Sequence, residues 1–231
     1  MDIELRGELW SNDDADVLRW WGWRDITCPA DIKKGLRDAN GAEVTLLINS
    51  PGGDMTVGTE IASMLRRYSG HVTALYQGIG ASAATIAASG ADRIEAEPGA
   101  LLCYHNPSSG AEGDYHTMER ESESLRAARD CIVNTYMSRH PAKSRDELEK
   151  LMDKDVLISP AIALEYGLLD GIVGELNESE KPPAFVAASG CRMRITSAMR
   201  REYSAAKSQE RLEHDKKAAE STLRYLRALT Q

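Results

Sequence analysis

The chain has 231 residues, of which 42% are hydrophobic and 28% charged, with a net charge of −8. That composition supports one large folded body, with or without an appendage, and speaks against disorder over most of the length. No run of about 18 apolar residues occurs, and the opening MDIELRGELWSNDD has neither a basic start nor an apolar centre, so a membrane span and a signal peptide are not expected. Cys28, Cys103, Cys131 and Cys191 show no CxxC spacing. They read as reduced thiols of a cytoplasmic protein rather than zinc ligands or a disulfide scaffold.

The aromatic stretch WWGWRD has no periodicity, which leaves Trp20, Trp21 and Trp23 unassigned. Val44 to Ser50 is a short apolar run closed by Pro51-Gly52-Gly53, the pattern of a strand buried on both faces. Val57, Ile61, Met64, Leu65 and Tyr68 form one stripe of a helix that Ser69-Gly70 ends. A second strand starts at Val72. GIGASAATIAASG then gives a small-residue turn and helix, and ADRIEAE and ALLCYH read as strands parted by Pro98-Gly99. This β-α-β-α-β succession predicts an α/β fold with right-handed crossovers and a mostly parallel sheet.

From Thr117 to His140 a long charged helix offers only the narrow apolar stripe Met118, Leu125, Ile132 and Tyr136. It packs either on its own sheet or on another subunit. Ser144 to Leu151 reads as a short helix, and Ser159-Pro160 as the start of a further one that Gly167 closes. GLLDGIVGEL follows as a turn and strand. The charged cluster, Pro pair and small residues of 178–190 read as a linker. Beyond it, residues 191–231 hold ten Lys or Arg against five Asp or Glu, a net +5 that leaves −13 on residues 1–190. The tail lacks Gly and Pro from Thr196 to Leu229 and pairs Glu213 with Lys217 and Glu220 with Arg224, which predicts a helix. With Tyr203 and Tyr225 as its aromatics, it has no stacking platform for nucleic acid.

Three places could carry chemistry. Ser82, in GIGASAA, follows a buried strand and opens an alanine-rich helix, where backbone N–H groups favour a developing oxyanion. The plain alternative is a capping serine. His105 ends the strand ALLCYH, and strand ends are where open α/β folds place their sites, although a lone histidine there is often a surface residue. Ser50-Pro51-Gly52-Gly53-Asp54 exposes backbone N–H groups after a buried strand and reads as one wall of an oxyanion hole or as an ordinary turn. No GK[ST] follows it, so it is not a phosphate loop.

INSPGGD, GASAATIAASGADRI, LLCYHNPSSG and DVLISPAIALEYGLLD, in this order between about Leu47 and Val173, resemble the proteolytic-subunit family of the Clp proteases, closest to its phage-encoded branch. The resemblance implies Ser82 as nucleophile, His105 as general base and Asp155 as the carboxylate that orients it, with Asp153 the near neighbour to be distinguished. It implies the N–H groups of Gly53 and Ala83 as oxyanion donors and no cofactor or metal. It implies the spiral of β-α-β units shared by Clp peptidases and crotonases, a handle helix after the histidine, and homo-oligomeric rings acting on protein or peptide substrates.

The S-A-A-T after the nucleophile replaces the family's usual S-M-G-A, as in phage-type members. A gating loop before LRGELW has no evident counterpart, and residues 191–231 extend past the family domain. The expected organisation is therefore a peptidase domain over 1–177, a linker over 178–190 and a basic helical extension over 191–231. The expected activity is that of a head-maturation endopeptidase in a bacterial host cytoplasm, with a capsid or scaffold protein as partner and neither membrane nor nucleic acid. Two alternatives remain open, a crotonase-type acyl-CoA enzyme and a catalytically silent ring component.

Overall fold

The computed structural model describes residues 1–174, 186–187 and 196–229. In chain order the elements are β1 (Asp2–Leu9), α1 (Asn12–Trp20), β2 (Ile26–Thr27), α2 (Pro29–Ala39), β3 (Val44–Gly53), α3 (Met55–Arg66), β4 (Val72–Ala81), α4 (Ala83–Ala88), β5 (Arg93–Ala96) and β6 (Leu101–Cys103). They continue with α5 (Tyr115–Met137), α6 (Arg145–Met152), β7 (Val156–Leu157), α7 (Pro160–Tyr166), β8 (Gly171–Ile172), β9 (Val186–Ala187) and α8 (Ser197–Leu229). The main sheet runs β2-β1-β3-β4-β5-β8 with β6 also on β4, and every pairing in it is parallel. The expected α/β architecture is therefore present.

Contacts divide the chain into two units, Met1–Ala15 with Asp25–Arg192, and Asp16–Arg24 with Met193–Gln231. The first holds the sheet. In the second, the Trp20 ring stands edge-on to Tyr203 at 6.1 Å and to Trp21 at 5.6 Å, which gives the unassigned aromatic stretch a place. The expected linker, 178–190, lies outside the described residues except for β9, which pairs antiparallel with β7.

Local chemistry sets the helix starts. Asp54 caps α3 by accepting from Thr56 N at 2.7 Å, Asp114 caps α5 by accepting from Thr117 N, and Ser144 with Glu147 forms a capping box on α6. Pro160 opens α7 as expected, yet the Ser159 side chain makes no capping bond. Gly167 ends α7 at φ 72°, where a Cβ would meet Ala142 N at 2.3 Å, so that turn requires glycine.

One expectation needs correcting. The continuous apolar run of β3 predicted burial on both faces, but Val44, Leu46, Ile48 and Ser50 are buried while Thr45, Leu47 and Asn49 are only half-covered. The helices α2, α3 and α4 close one side of the sheet around Ile32, Ile61 and Ile86; the other side is left partly open in the single chain.

Of α5, only Ile132, Val133 and Tyr136 are buried. Met118 is exposed and Leu125 half-buried, so the apolar seat of the helix on its own body is its C-terminal third, with polar contacts from Glu121 and Arg129 further up.

Candidate active site

The site is built where β4 changes partners. Its first half pairs with β5, from Thr73 to Tyr76, and its last residues pair with β6, with Ile79 opposite Leu101 and Ala81 opposite Cys103. Ser82 follows at φ 57° and ψ −128°, a conformation that costs a non-glycine residue roughly 1–3 kcal/mol and persists only where its surroundings enforce it. Those surroundings are visible. Ser82 N donates to Cys103 O at 3.0 Å, and its carbonyl accepts from Thr85 N at 2.9 Å and Thr85 Oγ1 at 2.6 Å.

Ser82 stands at the cap position of α4, but its side chain makes no capping bond. The ordinary role of a serine there is thus unused, and the hydroxyl is held at a strained turn without a structural task. Among the described residues no acceptor takes the Ala83 N–H. The run of small residues has a packing reason: a Cβ on Gly58 of α3 would reach Ala83 O at 2.5 Å, and one on Gly90 would reach Ala62 O at 2.2 Å.

The SPGGD turn lies against this serine. A Cβ on Gly52, which sits at φ 95°, would come within 2.5 Å of Ser82 Cβ, 2.6 Å of Ala81 O and 2.9 Å of Ala83 N. Gly53 packs on the other flank, where a Cβ would strike Leu9 O and N of β1 at 2.3 and 2.6 Å. Ser50 holds the turn from below. It is fully buried, donates to Gly7 O at 2.6 Å and accepts from Gly52 N at 3.1 Å. Sequence reading gave Ser50 no role of its own. The signal available was a polar residue in phase with the buried face Val44, Leu46, Ile48.

His105 was expected to end its strand, but β6 stops at Cys103, so His105 lies two residues past it, and Asp155 lies one residue before β7. Leu102 and Ile158 exchange both backbone hydrogen bonds, at 3.0 and 2.7 Å, as an antiparallel pair. That bridge brings the chain before Ile158 back beside the end of β6. Cys103 Sγ lies 4.0 Å from Asp155 Oδ1, which puts the carboxylate beside the end of β6.

Asp155 itself takes φ 47°, a left-handed conformation that aspartate tolerates. No hydrogen bond links Ser82 to His105 or His105 to Asp155 among the described residues. His105 Nδ1 is instead 2.6 Å from Asn106 O. A carbonyl only accepts, so Nδ1 carries the proton and Nε2 is left as the lone-pair nitrogen, the tautomer a general base needs.

Asp153 is separately engaged. Its Oδ1 accepts from Asn106 Nδ2 at 2.8 Å and Arg129 Nη2 at 3.0 Å, and Arg129 also approaches Glu149 at 3.7 Å. Cys103 is the other nucleophilic atom nearby. Burial, and then the negative charge of Asp155, push its thiol up to about 11, so it is a neutral thiol near pH 7 and a poor nucleophile. No cluster of three or more His, Cys, Asp or Glu suited to a metal ion occurs among the described residues.

Residues 36–175, which include Ser50, Gly52, Gly53, Ser82, His105 and Asp155, match the Clp protease family. The chain belongs to that family. It is 32% identical over 136 residues to the ATP-dependent Clp protease proteolytic subunit of Mesostigma viride, an alignment covering 58% of this chain and 59% of that one. It is 31% identical over 144 residues to the ATP-dependent Clp protease proteolytic subunit 1 of Chlamydia muridarum, covering 60% and 73%. The chain thus spans somewhat over half the length of the first relative, and the Clp family match ends close to where the continuously described fold ends, at residue 174.

Proposed function

We propose that this protein is a serine endopeptidase in which Ser82 attacks the peptide carbonyl, His105 Nε2 takes the hydroxyl proton and returns it to the leaving amine, and Asp155 steadies the imidazolium. The N–H groups of Gly53 and Ala83 receive the tetrahedral oxyanion, where one donor is commonly worth roughly 3–4 kcal/mol. The observation that carries this reading is Ser82 itself, strained, without a capping bond, beside an unused N–H and pressed by Gly52 of the SPGGD turn. An extended substrate would add a strand beside the SPGGD turn, so that main-chain pairing provides affinity.

The hydrogen bonds of His105 fit a resting arrangement. Its Nδ1 proton is taken by Asn106 O, so engaging Asp155 requires the loop after His105 to shift by one contact. Assembly supplies the cause: the exposed part of α5 borders that loop through Arg129, Asp153 and Asn106, and a neighbouring subunit on α5 would reset it. The working form is therefore a homo-oligomeric ring.

The S-A-A-T after the nucleophile and the basic extension over 191–231 favour a head-maturation peptidase of the phage type, acting in a host cytoplasm on capsid or scaffold protein. The boundary between peptidase body and extension falls in the 178–190 segment on this reading.

The test is labelling by a fluorophosphonate with the adduct located by mass spectrometry. It should fall on Ser82 and vanish in Ser82→Ala. Reaction elsewhere, or none, would overturn the serine reading in favour of an acyl-CoA enzyme or a silent ring component.

A further inference from the structure

The Ser82 carbonyl is gripped by more than the first turn of its helix. Thr85 Oγ1 lies 2.6 Å from that carbonyl and 2.7 Å from the phenol oxygen of Tyr136, which α5 contributes from 51 residues away. The carbonyl can only accept, so the single Thr85 hydroxyl proton points to Ser82, and the Tyr136 hydroxyl must donate to Thr85. Both side chains are buried, at 2% and 3% exposure, and the Tyr136 ring stands edge-on to Tyr104, the residue before His105, at 5.2 Å. Burial holds the Tyr136 phenol well above its ordinary titration range, so it remains a donor.

We infer that Thr85 and Tyr136 are positioning residues, a buried hydroxyl relay that fixes the plane of the Ser82–Ala83 peptide and thereby aims the Ala83 N–H at the reacting carbonyl. The inference rests on the serine-peptidase reading above. Its physical core is peptide planarity: in a trans peptide the C=O and the next N–H point in opposite directions, so a carbonyl pulled toward Thr85 turns the Ala83 N–H outward. Ser82 is strained, and a strained peptide relaxes when a restraint is removed. Without the Thr85 hydroxyl the carbonyl keeps Thr85 N at 2.9 Å and a long contact to Ile86 N at 3.4 Å, both from the helix and neither from α5.

Losing one oxyanion donor outright costs about 10²–10³ in rate, so a donor that is tilted rather than removed should cost about 10–100-fold. The test measures the maximal rate of Ser82 phosphonylation and the half-saturating fluorophosphonate concentration, alongside thermal melts and titrated active fraction. Thr85→Val should lower the maximal rate about 10–100-fold with half-saturation unchanged, and Thr85→Ser should return it to within about threefold of wild type. Tyr136→Phe leaves the Thr85-to-Ser82 bond in place and should cost less, about threefold to tenfold.

A Thr85→Val enzyme reacting at the wild-type rate would overturn the inference. So would a loss that Thr85→Ser shares, or one accounted for by a smaller active fraction. A wild type that is not labelled at Ser82 refutes the peptidase reading and this inference with it, whereas a labelled wild type with an unaffected Thr85→Val variant refutes the relay alone.

Discussion

Gly52→Ala should disable Ser82 while leaving most of the fold standing. The added methyl would sit 2.5 Å from Ser82 Cβ, 2.6 Å from Ala81 O and 2.9 Å from Ala83 N. Ordinary carbon contacts lie at about 3.5–4.0 Å, so roughly 1 Å of movement is needed between the SPGGD turn and the β4–α4 junction. Two of the three atoms are backbone and cannot swing away. The backbone at φ 95° adds roughly 1–3 kcal/mol of strain for any residue with a Cβ.

A displacement of about 1 Å at a reacting group is enough for a loss of about 10²-fold. Gly52→Ala should therefore lower the fluorophosphonate rate at Ser82 about 100-fold or more, and lower Tm by about 2–4 °C for each kcal/mol of strain retained. Gly99→Ala is the control, since a Cβ there meets nothing within 4 Å. A Gly52→Ala protein that reacts at the wild-type rate would show that the turn does not press on Ser82, and the assignment of Gly53 and Ala83 as the two donors would fall with it.

Asp155→Asn should cost orders of magnitude in labelling rate by upsetting the histidine tautomer, whereas Asp153→Asn, which weakens a half-exposed contact to Arg129 and Asn106, should cost little; the reverse order would show that the fourth motif has been aligned two residues out. Light scattering at micromolar concentration should find a species well above 25.4 kDa, because α5 leaves Met118 and Tyr115 exposed on the single chain, and a monomer at every concentration would remove the basis for ring assembly.

Most elements from Val44 onward were legible because they carry a period and a stop, as where the β3 run ends at Pro51-Gly52-Gly53 and α6 starts at a Ser144-to-Glu147 box; the two-residue strands β7 and β9 are too short to show either and were not read. The first 43 residues were not read, although β1 alternates buried Ile3, Leu5 and Leu9 with exposed neighbours. Its charged residues and Gly7, at φ 62° against Asp25 O, mask that period. Half-burial of β3 was illegible for a different reason, since an apolar run looks the same whether its second face is covered within the chain or left open. Of the site, Ser82, His105 and Asp155 stood out by motif. The Thr85–Tyr136 bond could not, because a hydrogen bond across 51 residues leaves no local pattern.

The order of the motifs along the chain follows from the sheet. In a parallel sheet all strands deliver their carboxyl ends to one edge, and ligand crevices open where neighbouring strands part. Here β4 is that place, because β5 pairs its first half and β6 its last three residues. Gly53 ends β3, Ser82 follows β4 and His105 lies two residues beyond β6, so the ends of three adjoining strands supply three motifs in sequence order. Asp155 arrives differently, just before an antiparallel return anchored at Leu102 and Ile158, outside the parallel sheet. The parts of the site that the sheet carries are locked by backbone hydrogen bonds, as between Ser82 N and Cys103 O. Asp155 is tied more lightly, by its N–H to Met152 O at 3.3 Å and by its carboxylate 4.0 Å from Cys103 Sγ. On the proposed reading, the approach of His105 to Asp155 is therefore the step that assembly would complete, while the serine turn stays as it is.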